Sequence, residues 1–287
     1  MSDKKEFDRD SISNTLIVAI GLSLVCSVIV SSAAILLKPV QEKNEELFRQ
    51  QIILDVAGLM EPDGNVEELF GAIEPRMVDL ETGDYTDAAD PASFDALVAA
   101  GDPTLGVAIP SELDIAGIGR RAKYAPVYIV RDGGDVDQVI LPVYGKGLWS
   151  TMLGYLSIAP DGNTIRGLRF YAHAETPGLG DQIDKEPWRA QWVGKLVYDG
   201  SGNPQIRVIK GVVAEGAAGE EHMIDGLAGA TLTANGVTGL VQYWTGPHGF
   251  GTYLKKFRED TARRAVRPSA LQLAEITTTN QLGHHDE

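Results

Sequence analysis

The chain is poor in cysteine, with Cys26 as the single one among 287 residues. An intrachain disulfide is therefore excluded, and so is a metal cluster held by several thiolates of this chain. Basic residues are also scarce, because 25 Lys and Arg face 40 Asp and Glu, which gives a formal net charge of −15. Such an excess of negative charge argues against nucleic acid as a partner. The composition instead fits an acidic domain that is exported or lies at a surface.

Charge is absent altogether from residues 15–37. As a helix this run would span roughly 34 Å at about 1.5 Å per residue, which matches the apolar core of a bilayer. The sequence therefore predicts one transmembrane helix, which Lys38 and Pro39 are expected to end. A cleaved signal peptide is the alternative, but the apolar run continues past the small residues that start at Ser32. Basic residues flank the run on both sides, so charge does not decide its orientation.

The rest of the sequence divides by its patterns. Apolar positions recur at helical spacing after Pro39, and the passage that follows is rich in Asp, Pro and Gly. Strand-like patterns begin at Tyr124, and the C-terminal end is polar. The predicted organisation is a cytoplasmic tail at 1–14, a transmembrane helix at 15–37, a linker helix at 38–60, an accessory subdomain at 61–123, a folded domain at 124–265 and a polar tail at 266–287.

The folded domain shows pairs of strand patterns separated by turn residues. The predicted hairpins join 127–130 to 138–144, 152–159 to 164–172, and 196–199 to 205–210. Helices are expected at about 234–243 and 251–263. Strand pairs joined by tight turns, with helices at the ends, predict an α+β fold with a largely antiparallel sheet.

The most informative motif is the run 225–233, Asp-Gly-Leu-Ala-Gly-Ala-Thr-Leu-Thr. Its small residues let the backbone approach a ligand closely. The helix expected after it would aim unpaired N–H groups and a positive dipole end at the loop, and phosphate suits such a position. A threonine at a helix start is also a common cap. The residues alone therefore leave Thr231 open between capping and ligand binding.

Two other loops carry chemically useful groups. The first combines glycines, an aromatic ring and hydroxyls, and the second combines a carboxylate and a hydroxyl with a rigid Pro-Gly backbone. A turn with a core tryptophan and a self-capped loop are the alternative interpretations. The candidate residues are Gly147, Leu148, Trp149, Ser150 and Thr151 in the first loop, and Glu175, Thr176, Gly178 and Leu179 in the second.

The run 225–233 closely resembles the flavin-attachment motif Asp-x-x-Ser/Thr-Gly-Ala-Thr of the bacterial FMN-binding domain family. The resemblance implies that Thr231 carries FMN through a phosphoester bond and that Asp225 is the acid of the motif. The chain departs from the motif at Ala228, where a hydroxyl residue is expected, and so lacks one hydroxyl in this loop. The other residues expected around the cofactor are Gly229, Ala230, Leu232, Thr233 and, as a partner for the phosphate or simply a solvated lysine, Lys210.

The order of features narrows the resemblance further. A Leu-Trp-Ser-Thr-Met loop, a Glu-Thr-Pro-Gly-Leu-Gly loop and the attachment motif, behind one transmembrane helix, are similar to the C subunits of the sodium-translocating NADH:quinone reductases (Nqr). The G subunits of Rnf electron transport complexes share the anchor and the attachment motif, but their usual pattern lacks the first of these loops. The Nqr family is therefore the better match.

This resemblance implies an electron-carrying subunit with covalent FMN, active only with other membrane subunits of a complex that oxidises NADH, reduces quinone and moves sodium outward. The chain has no glycine-rich dinucleotide fingerprint, so NADH, like quinone, is expected on other subunits. Maturation would need a flavin transferase that uses FAD. The family implies a single pass through the bacterial inner membrane with the domain on the periplasmic side. A membrane-anchored scaffold without flavin and a reductase acting alone are the alternatives.

Overall fold

The computed structural model describes residues 11–266, which divide into two compact units between Arg49 and Gln50. The α-helices of this part are α1 Ile12–Val56, α2 Val66–Phe70, α3 Ala96–Gly101, α4 Glu186–Arg189, α5 Thr231–Thr245 and α6 Gly251–Val266. The strands are β1 Ile73–Asp79, β2 Gly106–Ala108, β3 Arg120–Ala122, β4 Tyr124–Asp132, β5 Asp135–Lys146, β6 Thr151–Ile158, β7 Ile165–Ala172, β8 Arg207–Val208 and β9 Met223–Ile224. Short 3-10 helices cover Gly180–Asp184, Ala190–Trp192 and Glu220–His222.

Helix α1 does not end at Lys38 and Pro39, as the sequence predicted, but continues through Pro39 to Val56. An interior proline removes one backbone hydrogen bond, and the good helix formers that follow, such as Gln41 and Glu42, let the helix resume. Large apolar side chains such as Leu24 are exposed along its uncharged part. Among residues 11–266, α1 is the one helix long and apolar enough to cross a membrane.

The main sheet has five strands in the order β1-β4-β5-β6-β7, and every neighbouring pair is antiparallel. The first two predicted hairpins are present as β4 with β5 and as β6 with β7. Antiparallel strands with helices packed beside them confirm the predicted α+β class.

Strand β1 comes from the segment predicted as an accessory subdomain, 61–123. It pairs with β4 along its whole length, from Ile73 opposite Val130 to Asp79 opposite Tyr124. Here the structure differs from the expectation, because part of that segment belongs to the main sheet. Pro75 weakens the strand pattern, since proline has no N–H for a ladder and fits an edge strand. An edge is the position that β1 takes.

The predicted third hairpin, 196–199 with 205–210, is present only in part: the N–H groups of Gln205 and Ile206 donate to the carbonyl of Val197, but no ladder of paired strands forms. An isolated bridge joins Tyr198 to Pro204, and the carboxylate of Asp199 closes the loop between them by accepting the N–H groups of Ser201 and Asn203. Strand β8 pairs instead in parallel with β9. This pairing anchors the chain immediately before the run 225–233.

The sheet separates two apolar cores. Successive residues of a strand point to opposite faces, so Leu141 packs with the core that includes α5 and α6, and Ile140 packs with the other. The second core contains the last turns of α1, including Ile53 and Leu54. Helix α5 therefore lies on one face of the sheet. The segment that follows β9 leads directly to its first residue.

Candidate functional site

Thr231 is the first residue of α5, and its side chain is exposed. The residue before it, Ala230, is the N-cap and makes no side-chain capping hydrogen bond. Thr231 is thus not the cap of its helix, and among the described residues 11–266 no side chain accepts an N–H group from the first turn of this 15-residue helix. Unpaired N–H groups together with the helix dipole favour an anion at this position.

The turn before α5 depends on Gly229, whose φ of 74° lies in the left-handed region. A Cβ added at Gly229 would lie 3.0 Å from Cδ2 of Leu179. The attachment motif is therefore in close contact with the second candidate loop. Ala228, where the family motif has a hydroxyl residue, lies exposed in the same turn.

The two candidate loops are joined by hydrogen bonds. The backbone N–H groups of Leu148 and Trp149 donate to Oε1 of Glu175, at 2.9 and 3.2 Å. The indole Nε1 of Trp149 donates to Oγ1 of Thr176 at 3.0 Å. Ser150 Oγ accepts the N–H of Ala174 at 2.9 Å. Residues that are 24 to 27 positions apart are thus held side by side.

Glu175 also reaches the first turn of α5, because its Oε2 accepts the hydroxyl hydrogen of Thr233. Glu175 is 4% exposed and Thr233 is 1% exposed, so this contact is buried. One carboxylate thereby connects both loops to the helix that begins at Thr231. We call this set of residues, 147–150, 175–180 and 229–233, the cradle.

Glycines allow the parts of the cradle to pack this closely. A Cβ at Gly147 would collide with Oε1 of Glu175, and a Cβ at Gly180 would lie 2.8 Å from Oγ1 of Thr233. A Cβ at Gly236 in α5 would lie 2.5 Å from the carbonyl oxygen of Lys146, at the end of β5. Gly180 closes the predicted Glu-Thr-Pro-Gly-Leu-Gly loop. Gly236 is not among the residues predicted from the sequence, although a glycine within a helix is a signal of close backbone approach.

Apolar side chains line the exposed side of the cradle. Trp149 is 69% exposed, Leu232 61%, Leu179 42% and Leu148 39%. Exposed large apolar residues brought together in this way mark a surface for a ligand or a partner. Because they surround an uncapped helix N-terminus, the residues present fit a ligand with an aromatic ring and a phosphate group.

Asp225 is fixed by three other segments. Its Oδ1 accepts the N–H of Val213 at 2.7 Å, its N–H donates to Gln191 at 2.9 Å, and its carbonyl accepts Nε1 of Trp188 at 2.9 Å. The carboxylate therefore ties the connection after β8 to the start of the motif. These contacts fix the position of Asp225 at the start of the motif.

The structure does not bring every predicted residue into the cradle. Gly178 takes a φ of 79° and donates its N–H to Asp181 at 2.7 Å, which shapes the second loop. Thr151 is exposed at the start of β6, and Lys210 is exposed beside Gly211, whose carbonyl accepts the N–H of Gly226. In the part of the chain that the structure describes, no hydrogen bond joins the side chain of Thr151 or Lys210 to the cradle.

The FMN-binding domain family matches residues 147–246, which run from the start of the cradle to the end of α5. Fold and site together define a protein with a candidate membrane helix and an α+β domain of the FMN-binding kind. The chain is 47% identical over 264 residues to the C subunit of the Na(+)-translocating NADH-quinone reductase of Yersinia pestis, with 90% of this chain and 98% of that one covered. It is 46% identical over 259 residues to the protein of the same name from Pseudomonas aeruginosa, covering 89% and 99%. The chain belongs to the family of the C subunits of Na(+)-translocating NADH-quinone reductases, NqrC.

Solved structures agree with this assignment. The crystal structure of Shewanella oneidensis NqrC matches with a TM-score of 0.68 and 36% identity, over 73% of this chain and 96% of that one. The crystal structure of the corresponding protein from Parabacteroides distasonis matches with a TM-score of 0.61 and 26% identity, over 76% and 96%.

Proposed function

We propose that Thr231 holds FMN through a phosphoester bond and that this chain is the flavin-carrying subunit of a Na(+)-translocating NADH:quinone oxidoreductase. The observation that carries the proposal is the position of Thr231, which is exposed as the first residue of α5 behind an N-cap without a side-chain acceptor. The phosphate would sit where the N–H groups of the first turn and the helix dipole stabilise negative charge. The names of the related proteins support the same role.

The ring of the cofactor would lie against the exposed apolar side of the cradle. The apolar surface that an isoalloxazine ring needs is offered by four exposed side chains, those of Trp149, Leu148, Leu179 and Leu232. The backbone of Gly147, Ser150, Thr176 and Gly178 and the hydroxyl of Thr151 would supply polar contacts at its edge. Bound FMN supplies the redox chemistry, because it takes up and releases electrons singly or in pairs.

Attachment would be carried out by a separate flavin transferase with FAD as the donor. Oγ1 of Thr231 would form a bond to the phosphorus of the FMN half, the pyrophosphate P–O bond would break, AMP would leave, and the hydroxyl proton would pass to a base. Asp225 would keep the acceptor loop in place during this transfer, or bind the metal that the transferase uses, and Lys210 would neutralise phosphate charge. The exposure of Thr231 supports such access.

The electrons would pass between redox centres of other membrane subunits, while NADH and quinone bind to those subunits. We infer that α1 anchors the chain by a single pass in the bacterial inner membrane, with the FMN-binding domain on the periplasmic side. A covalent bond would keep the cofactor from being lost there. The family relationship favours this role over that of the G subunit in an Rnf complex and over a scaffold without flavin.

The test is fluorescence of the denatured chain. We would produce the chain with and without a flavin transferase and image denaturing gels under ultraviolet light, beside Thr231→Ala and Thr233→Ala. Fluorescence that requires the transferase, survives denaturation and disappears only in Thr231→Ala is the expected result. A dark wild-type band in the presence of active transferase would overturn the proposal.

A further inference from the structure

The carboxylate of Glu175 is directed into the protein and not towards the exposed side of the cradle. Both of its carboxylate oxygens are engaged within the protein, Oε1 with the N–H groups of Leu148 and Trp149 and Oε2 with the hydroxyl of Thr233. The residue is 4% exposed. A buried carboxylate is costly unless hydrogen bonds satisfy it, and here three donors do so.

The neighbours of Glu175 leave it no room to move. Gly147 and Gly180 both pack against it so closely that a Cβ at either position would collide or nearly collide with its atoms. Its own N–H donates to Nδ1 of His173 at 3.2 Å, and Nε2 of that ring pairs with Asp184 at 2.7 Å. Backbone and side chain of Glu175 are therefore both fixed.

We propose that Glu175 is a positioning residue, which holds the loop of Trp149 and the first turn of α5 in one arrangement and so forms the cradle before the cofactor arrives. It acts through Trp149 and Thr233, not by touching the flavin. This inference rests on the proposed function for its consequence, because the groups it aligns are the attachment residue and the aromatic surface. The interaction between Glu175 and Thr233 spans 58 positions, so it adds a hydrogen bond between two distant parts of the chain that also meet where Gly229 approaches Leu179.

The chemistry of the side chain explains why glutamate suits this place. A carboxylate accepts several hydrogen bonds at once, and bonds to a charged acceptor are stronger than neutral ones. Its negative charge also lies at the N-terminal turn of α5, where Ala230 offers no cap. Glutamine keeps the length and can accept the two N–H groups while donating to Thr233. Aspartate is one methylene shorter and cannot span the same distance.

The experiment compares Glu175→Ala, Glu175→Asp and Glu175→Gln in the full chain, flavinylated and in detergent. The control is Gln138→Ala, which removes another buried polar side chain with contacts to Ala57 and Ser157, away from the cradle. Two signals are recorded for each variant. Fluorescence of the denatured band reports the covalent bond, and fluorescence intensity and anisotropy of the native protein report how firmly the ring is held against Trp149.

We expect Glu175→Ala and Glu175→Asp to keep a fluorescent denatured band but to show a several-fold rise in native flavin fluorescence and a fall in anisotropy. Glu175→Gln should restore both native signals towards the wild type, and Gln138→Ala should leave them unchanged even where it lowers the melting temperature. Native signals in Glu175→Ala equal to those of the wild type would overturn the positioning role. So would an equal change in Gln138→Ala.

A measurement without flavin separates this inference from the proposed function. Hydrogen exchange of peptides covering 147–151 in the flavin-free chain should be roughly tenfold faster or more in Glu175→Ala, since hydrogen bonds to a charged acceptor are lost. Unchanged exchange would overturn the positioning role, whereas a dark wild-type gel band would overturn the proposed function alone.

If Glu175→Ala does not fold, Thr233→Val and Thr233→Ser replace it. Valine should reproduce the faster exchange and serine should not, and a valine variant with wild-type exchange would contradict the proposal.

Discussion

The indole nitrogen of Trp149 lies 3.0 Å from Oγ1 of Thr176 and donates a hydrogen bond to it. The backbone N–H of the same tryptophan is held by Glu175. Trp149 is nevertheless 69% exposed. An aromatic side chain that is fixed at two points but left open to solvent gains little from burial, which is the property expected of a surface that a ring stacks on.

Trp149→Leu should remove this stacking surface while leaving the covalent bond intact. We expect native flavin fluorescence to rise several-fold and the denatured gel band to stay as bright as in the wild type. The free energy of unfolding should change by less than about 1 kcal/mol, because so little of the side chain is buried. Trp149→Phe keeps a ring but loses the bond to Thr176, so it should give an intermediate signal. Equal native fluorescence in all three proteins would show that the ring lies elsewhere.

Gly229→Ala should disturb the cradle through the backbone. The left-handed conformation, with a φ of 74°, costs an alanine roughly 1–2 kcal/mol, and the new Cβ would lie 3.0 Å from Cδ2 of Leu179. Gly133→Ala is a matched control, because Gly133 has a φ of 58° in the turn between β4 and β5 and nothing within 4 Å of its Cβ position. Chemical unfolding should show a similar loss in the free energy of unfolding for both variants. Only Gly229→Ala should lower the rate of flavinylation, and an equal effect of Gly133→Ala would assign the loss to general instability.

The hairpins β4–β5 and β6–β7 could be predicted because alternation and tight turns are local signals. Strand β1 could not, because Pro75 interrupts its pattern and its partner β4 is distant along the chain. The parallel pair β8 and β9 has two residues in each strand, too few for any period. Pro39 led to the prediction of a helix end that the structure does not have. A single proline removes one hydrogen bond, and here it does not end a long helix.

In the candidate site, too, local sequence signals could be predicted and contacts between distant residues could not. A contiguous motif of small residues before a helix pattern marks Thr231 in the sequence, and in the structure Thr231 is exposed at the start of α5. The interaction of Glu175 with Thr233 depends on how the loop after β7 packs against α5 in three dimensions, and nothing in the sequence near either residue specifies it. Local motifs therefore indicated which loops matter, and the structure shows what holds them together.

Two substitutions of Asp225 can separate the effect of its hydrogen bond from the effect of its negative charge. Asp225→Asn keeps an oxygen that can accept the N–H of Val213, so the free energy of unfolding should stay within about 0.5 kcal/mol of the wild type. Asp225→Ala loses that acceptor and should cost about 1 kcal/mol. If orientation of the motif is all that Asp225 provides, flavinylation should be slow in the alanine variant and near normal in the asparagine variant. Slow flavinylation of a stable Asp225→Asn would instead assign the negative charge to the transferase reaction.

Glu74 should make the attachment of β1 to the sheet dependent on pH. The hydrogen bond from Arg131 on β4, assisted by Arg76, holds the pKa of Glu74 below its usual value of 4.5. A carboxylate whose pKa is lower in the folded chain stabilises the fold above the unfolded pKa, and that stabilisation is lost as the pH falls through the folded pKa. The pair is partly exposed, so its contribution should be less than about 1 kcal/mol.

Glu74→Gln should therefore lower the melting temperature slightly at neutral pH, and this difference from the wild type should disappear at an acidic pH below the folded pKa of Glu74, where the wild-type carboxylate is protonated too. Glu61→Gln is the control, because Glu61 is exposed and forms no ion pair within the described residues 11–266. It should change the melting temperature at neither pH. A Glu74→Gln effect of the same size at both pH values would mean that the shape of the side chain, and not its charge, holds β1 against β4. Because β1 is an edge strand, hydrogen exchange of residues 73–79 should speed up in Glu74→Gln at neutral pH before that of the inner strands β5 and β6.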